Sequence, residues 1–300
     1  MPHNVGPADG LVNVDGVADP ATVVSRLEAA GTRRVTACGG GAMVWRIWGD
    51  GPPLVLLHGA SGSWTHWIRN IEPLSKHFTL FVADMPGFGD SDMPPGAPTP
   101  DALANVIALG LDALVPPPRQ LDLAGFSFGG IIAGLVAARL GTRVGTLVLL
   151  GAGGFGLPPT LTPTLRPVTP DMSSTEIVRA HRDNLHRLMI SDAACVDDLA
   201  VFIHMENLRL ARFKSGSIPA SDVLLRALPN IRARIAGIWA GRDAFAASRR
   251  ERVEEYRRLL ASVQADVDFR VIATSGHWTI YEAANEVNAI LHDILVARRR

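Results

Sequence analysis

The sequence predicts an α/β protein: a mainly parallel central sheet with helices on both faces and an inserted helical cap. Three observations carry that expectation. Short continuous apolar runs ("PLVLLHG", "FTLFVAD", "QLDLAGF", "VGTLVLLGA") alternate with longer helical patterns between residues 53 and 152, which is how strands buried on both faces read. The alternation stops after residue 152 and gives way to a Gly/Pro-rich opening and polar-mixed helical segments with no convincing strand. Strand signals return at "ARIAGIWAG" (233–241) and "DFRVIAT" (268–274). The chain therefore divides into a first part of the core with its leader (1–152), a helical cap (153–232) and a second part of the core (233–300).

Taken in order, "ATVVSRLEAAG" (21–31) has amphipathic spacing and closes on Gly31, a helix stop. Two β-like runs, Arg34–Cys38 and Met43–Trp48, flank Gly39-Gly40-Gly41, which suits a hairpin or a bulge. A strand over 53–59 leads to a helix over 63–77, and a strand over 78–84 leads to a helix over 99–115. Thr99 is placed to cap that second helix, with Pro100 at its first position. A strand over 120–126 runs into a helix after Ser127, and a strand over 144–152 follows. After the cap, each returning strand is followed by a helix, at 248–263 and 279–297.

Composition narrows the partners. The 300 residues are 47% hydrophobic and 19% charged, and 29 acidic side chains balance 29 basic ones. A chain with no net charge gives no electrostatic reason to expect nucleic acid or an acidic membrane surface as partner. Arg298-Arg299-Arg300 suits a solvated helix end, where cations complement the helix dipole. Two cysteines, Cys38 and Cys195, lie far apart and outside any metal or disulfide spacing. The first twenty residues lack the basic and apolar regions of a secretory signal, and no apolar stretch reaches membrane-spanning length. A cytoplasmic protein with a small-molecule substrate is expected, and a homo-oligomer stays open.

The chemistry centres on "GFSFGG" (125–130). Gly125-Phe126-Ser127-Phe128-Gly129 has G-x-S-x-G spacing between a strand and a small-residue helix, the setting that lifts a serine hydroxyl clear of a sheet. A phosphate loop or a plain small-residue turn is the alternative. A serine needs a base, usually a histidine oriented by a carboxylate. In a parallel sheet such groups gather at the carboxyl ends of strands. Of nine histidines, His58 and His277 directly follow strand-like segments, while His66, His77, His181, His186, His204 and His292 lie in helix-like ones. His277, past the last strand, is the candidate base. His58 sits in "LLHGASGS", where backbone amides suit an anion hole. Asp243 directly follows "IAGIWAG"; alone it also reads as a turn residue. With Ser127 as nucleophile, the amides of Phe128 and Ala60 are the candidate oxyanion donors.

In their order, "LLHGASGS" (56–63), "DMPGFGDSD" (84–92), "GFSFGG", "WAGRD" (239–243) and "SGHW" (275–278) resemble the α/β-hydrolase superfamily. The resemblance covers about residues 43–296 and implies the order Ser127, Asp243, His277. It implies a mostly structural role for the loop over 84–92. Within the superfamily, "RNIEPL" (69–74), "PGFGDSD" and "GHW" are similar to the meta-cleavage-product hydrolases, which cut C–C bonds in ring-opened dienones. Those enzymes carry an Asn before the serine, where this chain has Phe126, and a cap Arg near the position of His204. Both departures point to a less acidic substrate. A serine at the elbow excludes the aspartate chemistry of related dehalogenases and epoxide hydrolases, and no metal motif is present.

The expectation is thus a cofactor-independent serine hydrolase of a small, largely apolar carboxylic ester. A C–C hydrolase is the runner-up, and a ligand-binding member of the fold is the non-enzyme alternative. Phe126, His204 and Trp278 are candidate pocket residues, with Phe155, Leu157, Met189, Phe202 and Met205 as further apolar candidates and Trp64 and Trp67 at the rim.

Overall fold

The computed structural model describes residues 19–157, 164–245 and 249–297. The leader over 1–18 and Arg298-Arg299-Arg300 lie outside them. Helix α1 (Pro20–Ala29) is capped by Asp19, whose side chain accepts the Thr22 amide at 3.0 Å. Strands β1 (Thr32–Cys38) and β2 (Gly41–Trp48) form the hairpin anticipated at the glycine triplet. Next come β3 (Pro53–Leu57), α2 (Ile71–Ser75), β4 (Thr79–Ala83), α3 (Pro100–Leu114), β5 (Leu121–Phe126), α4 (Phe128–Leu140) and β6 (Val144–Leu150). Thr99 caps α3 by accepting the Ala102 amide at 3.1 Å.

Between β6 and β7 (Arg234–Ala240) lie α5 (Ser174–Leu188), α6 (Asp198–Leu210) and the short α7 (Val223–Ala227). Among the described residues this stretch holds no strand. Helix α8 (Arg249–Ala261), β8 (Asp268–Ile272), α9 (Thr279–Glu282) and α10 (Ala284–Ala297) complete the chain. No described helix is long and apolar enough to cross a membrane.

The strands form one eight-stranded sheet in the order β1-β2-β4-β3-β5-β6-β7-β8. The pairs β1–β2 and β2–β4 are antiparallel and the remainder parallel. Side chains alternate across it: Val55 and Leu57 of β3 join the core on one face, Leu54 and Leu56 the core on the other. Leu147 and Leu149 against Val148 and Leu150 of β6 repeat the pattern. Helices cover both faces, so strands β3 to β7 are buried along nearly their whole length.

Two expected helices are divided. Residues 63–77 form a 3₁₀ turn over Trp64–Trp67 and then α2. Pro73 has no N–H to continue a helix begun at residue 63; within α2 it falls in the first turn, where no intrahelical donor is required. Residues 279–297 divide at Ala283, whose φ of −118° and ψ of 41° leave the helical region. Helix α9 stays with the loop before it, while α10 buries Val287, Leu291, Ile294 and Leu295 against the sheet.

The loop over 84–92 is organised by a buried charge cluster. Arg46, 4% exposed, pairs with Asp84 (2.9 Å), Asp90 (2.5 Å) and Glu28 (2.6 Å). Asp84, itself buried, also accepts the amides of Trp64 and Asp90. Arg46→Ala leaves that carboxylate without its cation. It should lower unfolding free energy by roughly 3 kcal/mol or more, the scale of a broken buried pair. Urea denaturation measures it, and a change below about 0.5 kcal/mol, the level of an ordinary surface substitution, would mean that the amides suffice for Asp84.

Candidate functional site

Strand β5 ends at Phe126 and α4 begins at Phe128, so Ser127 must turn the chain alone. It does so with φ 53° and ψ −117°, a conformation that non-glycine residues adopt only when their surroundings enforce it. Its amide donates to the Leu150 carbonyl of β6 (2.8 Å), and its carbonyl accepts the Gly130 amide (2.9 Å). The flanking glycines are steric requirements. A Cβ on Gly125 would lie 2.4 Å from the Gly129 carbonyl oxygen, and one on Gly129 would lie 2.3 Å from that of His58.

Beyond the carboxyl ends of β7 and β8 lie Asp243 and His277, both buried. The structure brings the three side chains into one hydrogen-bonded chain. His277 Nε2 lies 2.9 Å from Ser127 Oγ, and His277 Nδ1 lies 2.7 Å from Asp243 Oδ2. The carboxylate can only accept, so Nδ1 carries the proton and Nε2 is left to accept from the hydroxyl. The other Asp243 oxygen accepts the Phe245 amide at 2.8 Å. The Phe245 ring stands edge-on to the imidazole, centroids 4.7 Å apart. Chemically, this arrangement can take the serine proton while holding the resulting imidazolium.

The loop bearing His277 is gripped on both sides by the β6–β7 segment. Trp278 N–H donates to the Met189 carbonyl (2.7 Å). The Glu282 carboxylate accepts from the amides of Gly276 (2.7 Å), Ser191 (3.0 Å) and Asp192 (2.8 Å), and from the Ser191 hydroxyl (2.8 Å). One carboxylate thereby fastens residues 191–192 to the residue before His277.

Two chambers meet at the serine, of about 310 and 290 Å³, and Ala60, Ser127, Phe245 and His277 line both. Leu157, Trp239, Tyr256 and Pro219 wall the first; His66, His181, His204, Leu188, Met189 and Leu208 wall the second. Neither has a lysine or arginine among its described lining residues. The Phe128 amide opens α4, where an N–H has no intrahelical carbonyl to meet. Ser61, beside Ala60, is the other described non-glycine residue with positive φ (50°).

Of the sequence-predicted pocket residues, Phe126, Leu157, Met189 and His204 line the chambers. Trp278 does not: it is 1% exposed, stacks on Tyr281 (centroids 4.4 Å) and donates its indole N–H to the His66 carbonyl. Trp64, Trp67 and Phe155 are likewise core residues, and Phe202 and Met205 lie outside the two chambers. His58 is structural. Its Nδ1 lies 2.8 Å from the Gly59 carbonyl and its Nε2 accepts the Met85 amide, while burial pushes its pKa down to about 4. Sequence reasoning missed His66, His181, Trp239, Phe245 and Tyr256. A helical wheel holds part of the signal, since His181, Asn184 and Leu188 share one face of α5. Among the described residues no group of three His, Cys, Asp or Glu side chains could hold a metal ion.

A family model described as "Alpha/beta hydrolase family" matches residues 54–290, and the chain belongs to that family. It is 39% identical over 114 residues to a 2-hydroxymuconate semialdehyde hydrolase of Pseudomonas sp. (strain CF600), over 37% of this chain and 40% of that protein. It is 32% identical over 108 residues to a pimeloyl-[acyl-carrier protein] methyl ester esterase of Vibrio parahaemolyticus serotype O3:K6 (strain RIMD 2210633), over 36% of this chain and 40% of that one. The chain thus spans about 40% of the length of these relatives. The crystal structure of a bacterial membrane phospholipase A superposes with a TM-score of 0.73 at 22% identity, over 94% of this chain and 93% of that one.

Removing the Glu282 carboxylate strands three amides at the joint between the β6–β7 segment and the His277 loop. Glu282→Ala should cost roughly 3 kcal/mol of stability, given about 1.5–3 kcal/mol per hydrogen bond to a charged group. Chemical denaturation followed by far-UV dichroism checks this, and an unchanged midpoint would mean that the joint is held by other contacts.

Proposed function

We propose that the protein is a serine hydrolase that cleaves a small, largely apolar carboxylic ester without a cofactor. The observation that carries this is the hydrogen-bonded chain Ser127–His277–Asp243 at the junction of two chambers. In the proposed cycle the Ser127 oxygen attacks the ester carbonyl carbon, and its proton passes to His277 Nε2. Asp243 holds the imidazolium, and the Phe128 and Ala60 amides stabilise the oxyanion. Collapse breaks the bond to the alkoxide, which leaves with the proton from His277. Water then gives a proton to His277, attacks the acyl carbon and releases the acid, and the serine oxygen recovers its proton. Helices α5 and α6 act as the cap over the site, and the two chambers hold the two arms of the ester.

The choice of an ester over a C–C bond rests on what walls the site. A ring-opened dienone carries a carboxylate, and the described lining residues of both chambers offer it no lysine or arginine. Phe126, where an amide would hydrogen-bond, presents a phenyl ring packed 5.2 Å from the His277 ring. A missing charge-assisted bond is worth roughly ten- to a hundred-fold in rate.

Ser127→Ala should fold normally and lose activity by about a million-fold, while a fluorophosphonate labels the wild type at Ser127. Labelling at another residue, or full activity in the variant, would refute the nucleophile. Asp243→Asn should slow the reaction by about four orders of magnitude, as when a triad carboxylate becomes an amide; a loss under tenfold would move the orienting role to another group. For the bond cleaved, short aryl esters should exceed a 2-hydroxy-6-oxo-dienoate in kcat/KM by at least about tenfold. A dienoate that is the better substrate would replace the esterase reading with the C–C hydrolase.

A further inference from the structure

Leucine, methionine and phenylalanine side chains wall part of the second chamber, yet three histidines besides His277 line it from different elements. His66 comes from the 3₁₀ turn after β3, His181 from α5 and His204 from α6. Each has hydrogen-bonding capacity that the protein does not use. The Gly59 amide donates to His66 Nδ1 (3.2 Å), which places the proton of the neutral ring on Nε2, and no described residue accepts it. His181 Nδ1 is buried without a hydrogen-bond partner among the described residues. His204 packs edge-on to His181 with centroids 5.3 Å apart, and no described residue hydrogen-bonds its ring. Asn184, also on this wall, is already engaged: it is satisfied by both backbone groups of Arg166.

A polar atom that has lost water without gaining a partner, as His181 Nδ1 has, is costly, and the unbonded ring nitrogens of His66 and His204 have no protein partner among the described residues. A ligand that supplies the partners recovers that cost, and an alkyl isostere does not. The rings are also uncharged near neutral pH. Burial pushes His204 down to about 4, with His181 beside it adding to the effect. Burial lowers His181 and, most strongly, His66, where His58, His204 and His277 contribute. Uncharged imidazoles donate and accept hydrogen bonds but do not neutralise a carboxylate.

We propose that the chamber walled by His66, His181 and His204 binds an uncharged oxygen group of the substrate, so that the ester cleaved carries a keto or hydroxyl group on the arm that enters it. This rests on the serine hydrolase reading and adds the substrate class: an ester apolar on one arm and bearing a neutral oxygen function on the other.

The test uses two matched pairs of esters, since the oxygen can sit on either arm. Phenyl 4-oxopentanoate is compared with phenyl pentanoate, and 4-oxopentyl acetate with pentyl acetate; phenyl hydrogen succinate adds a charged member. In at least one pair the oxo ester should show about tenfold higher kcat/KM or more, the worth of about one to two hydrogen bonds, and the succinate should trail it. The double substitution His181→Leu, His204→Leu should bring the ratio within that pair close to one. Because the readout is a ratio, a general loss of rate cancels. If the leucine variant does not fold, His181→Asn, His204→Asn, which retains hydrogen-bonding side chains, should keep a ratio above that of His181→Ala, His204→Ala. Equal rates within both wild-type pairs, a ratio that survives the leucines, or a faster succinate would overturn the proposal while leaving fluorophosphonate labelling and ester hydrolysis intact. Absence of labelling and of hydrolysis of every ester would instead remove the serine hydrolase reading, and this proposal with it.

Discussion

The site depends on one backbone constraint: a single residue must join the end of a buried strand to the start of a helix. Ser127 meets it with φ 53°, and the cost, on the order of 1–3 kcal/mol, is borne by the packing around it. Gly125 and Gly129 let the strand, the helix and the His58 carbonyl approach to distances that no Cβ would allow. The hydrogen bond that the Ser127 amide donates to the Leu150 carbonyl of the neighbouring strand then locks the turn to the sheet. The Ser127 hydroxyl is therefore aimed by main chain, not by a side-chain rotamer alone. The helix dipole beginning at Phe128 adds a positive end where negative charge would develop.

The second and third members of the chain of hydrogen bonds are held differently. Asp243 follows β7, one strand in from the sheet edge, and is fixed by the Phe245 amide and the imidazole. His277 sits on a loop next to the edge strand β8, and its position is shared between α9 and the β6–β7 segment. Glu282 reaches from α9 to three amides, two of them in residues 191–192, while Met189 accepts from Trp278. Arg69 and Tyr281 of the core both hold Asp197 at the head of α6, at 2.5 Å each. Arg212 donates to the Gly89 carbonyl at 3.1 Å beyond the other end of that helix. The segment that walls the second chamber is thus tied to the same elements that orient the imidazole.

Much of this was legible in the sequence because it follows from local rules. Every strand was visible as an apolar or β-like run, Thr99 and Pro100 marked the start of α3, and Ser127, Asp243 and His277 stood out at strand ends. What escaped depends on contacts between distant residues. The split at Pro73 could have been read from the missing N–H, but the break at Ala283 reflects α9 and α10 serving different partners. Trp278 looks like a pocket residue by adjacency to His277; its ring turns instead to Tyr281 and His66. His66 and His181 lie in helix-like segments where a histidine is usually solvated, and only the packing of α5 and α6 over the core gathers them beside His204. The family comparison reaches the fold and leaves the substrate open, because the matches to the two named relatives cover little more than a third of the chain.

The sheet neighbours β6 and β7 are separated in sequence by 83 residues, from Gly151 to Ala233, yet pair directly in parallel register. Their hydrogen bonds are indifferent to what lies between Leu150 and Arg234, and the entropic cost of that excursion grows only with the logarithm of its length. Variation can therefore accumulate in the chamber wall without disturbing the ladder that presents the serine. What the protein admits and how the ladder pairs therefore depend on partly separate stretches of the chain. Glu282 and Asp197 are exceptions, where one substitution would be felt by both.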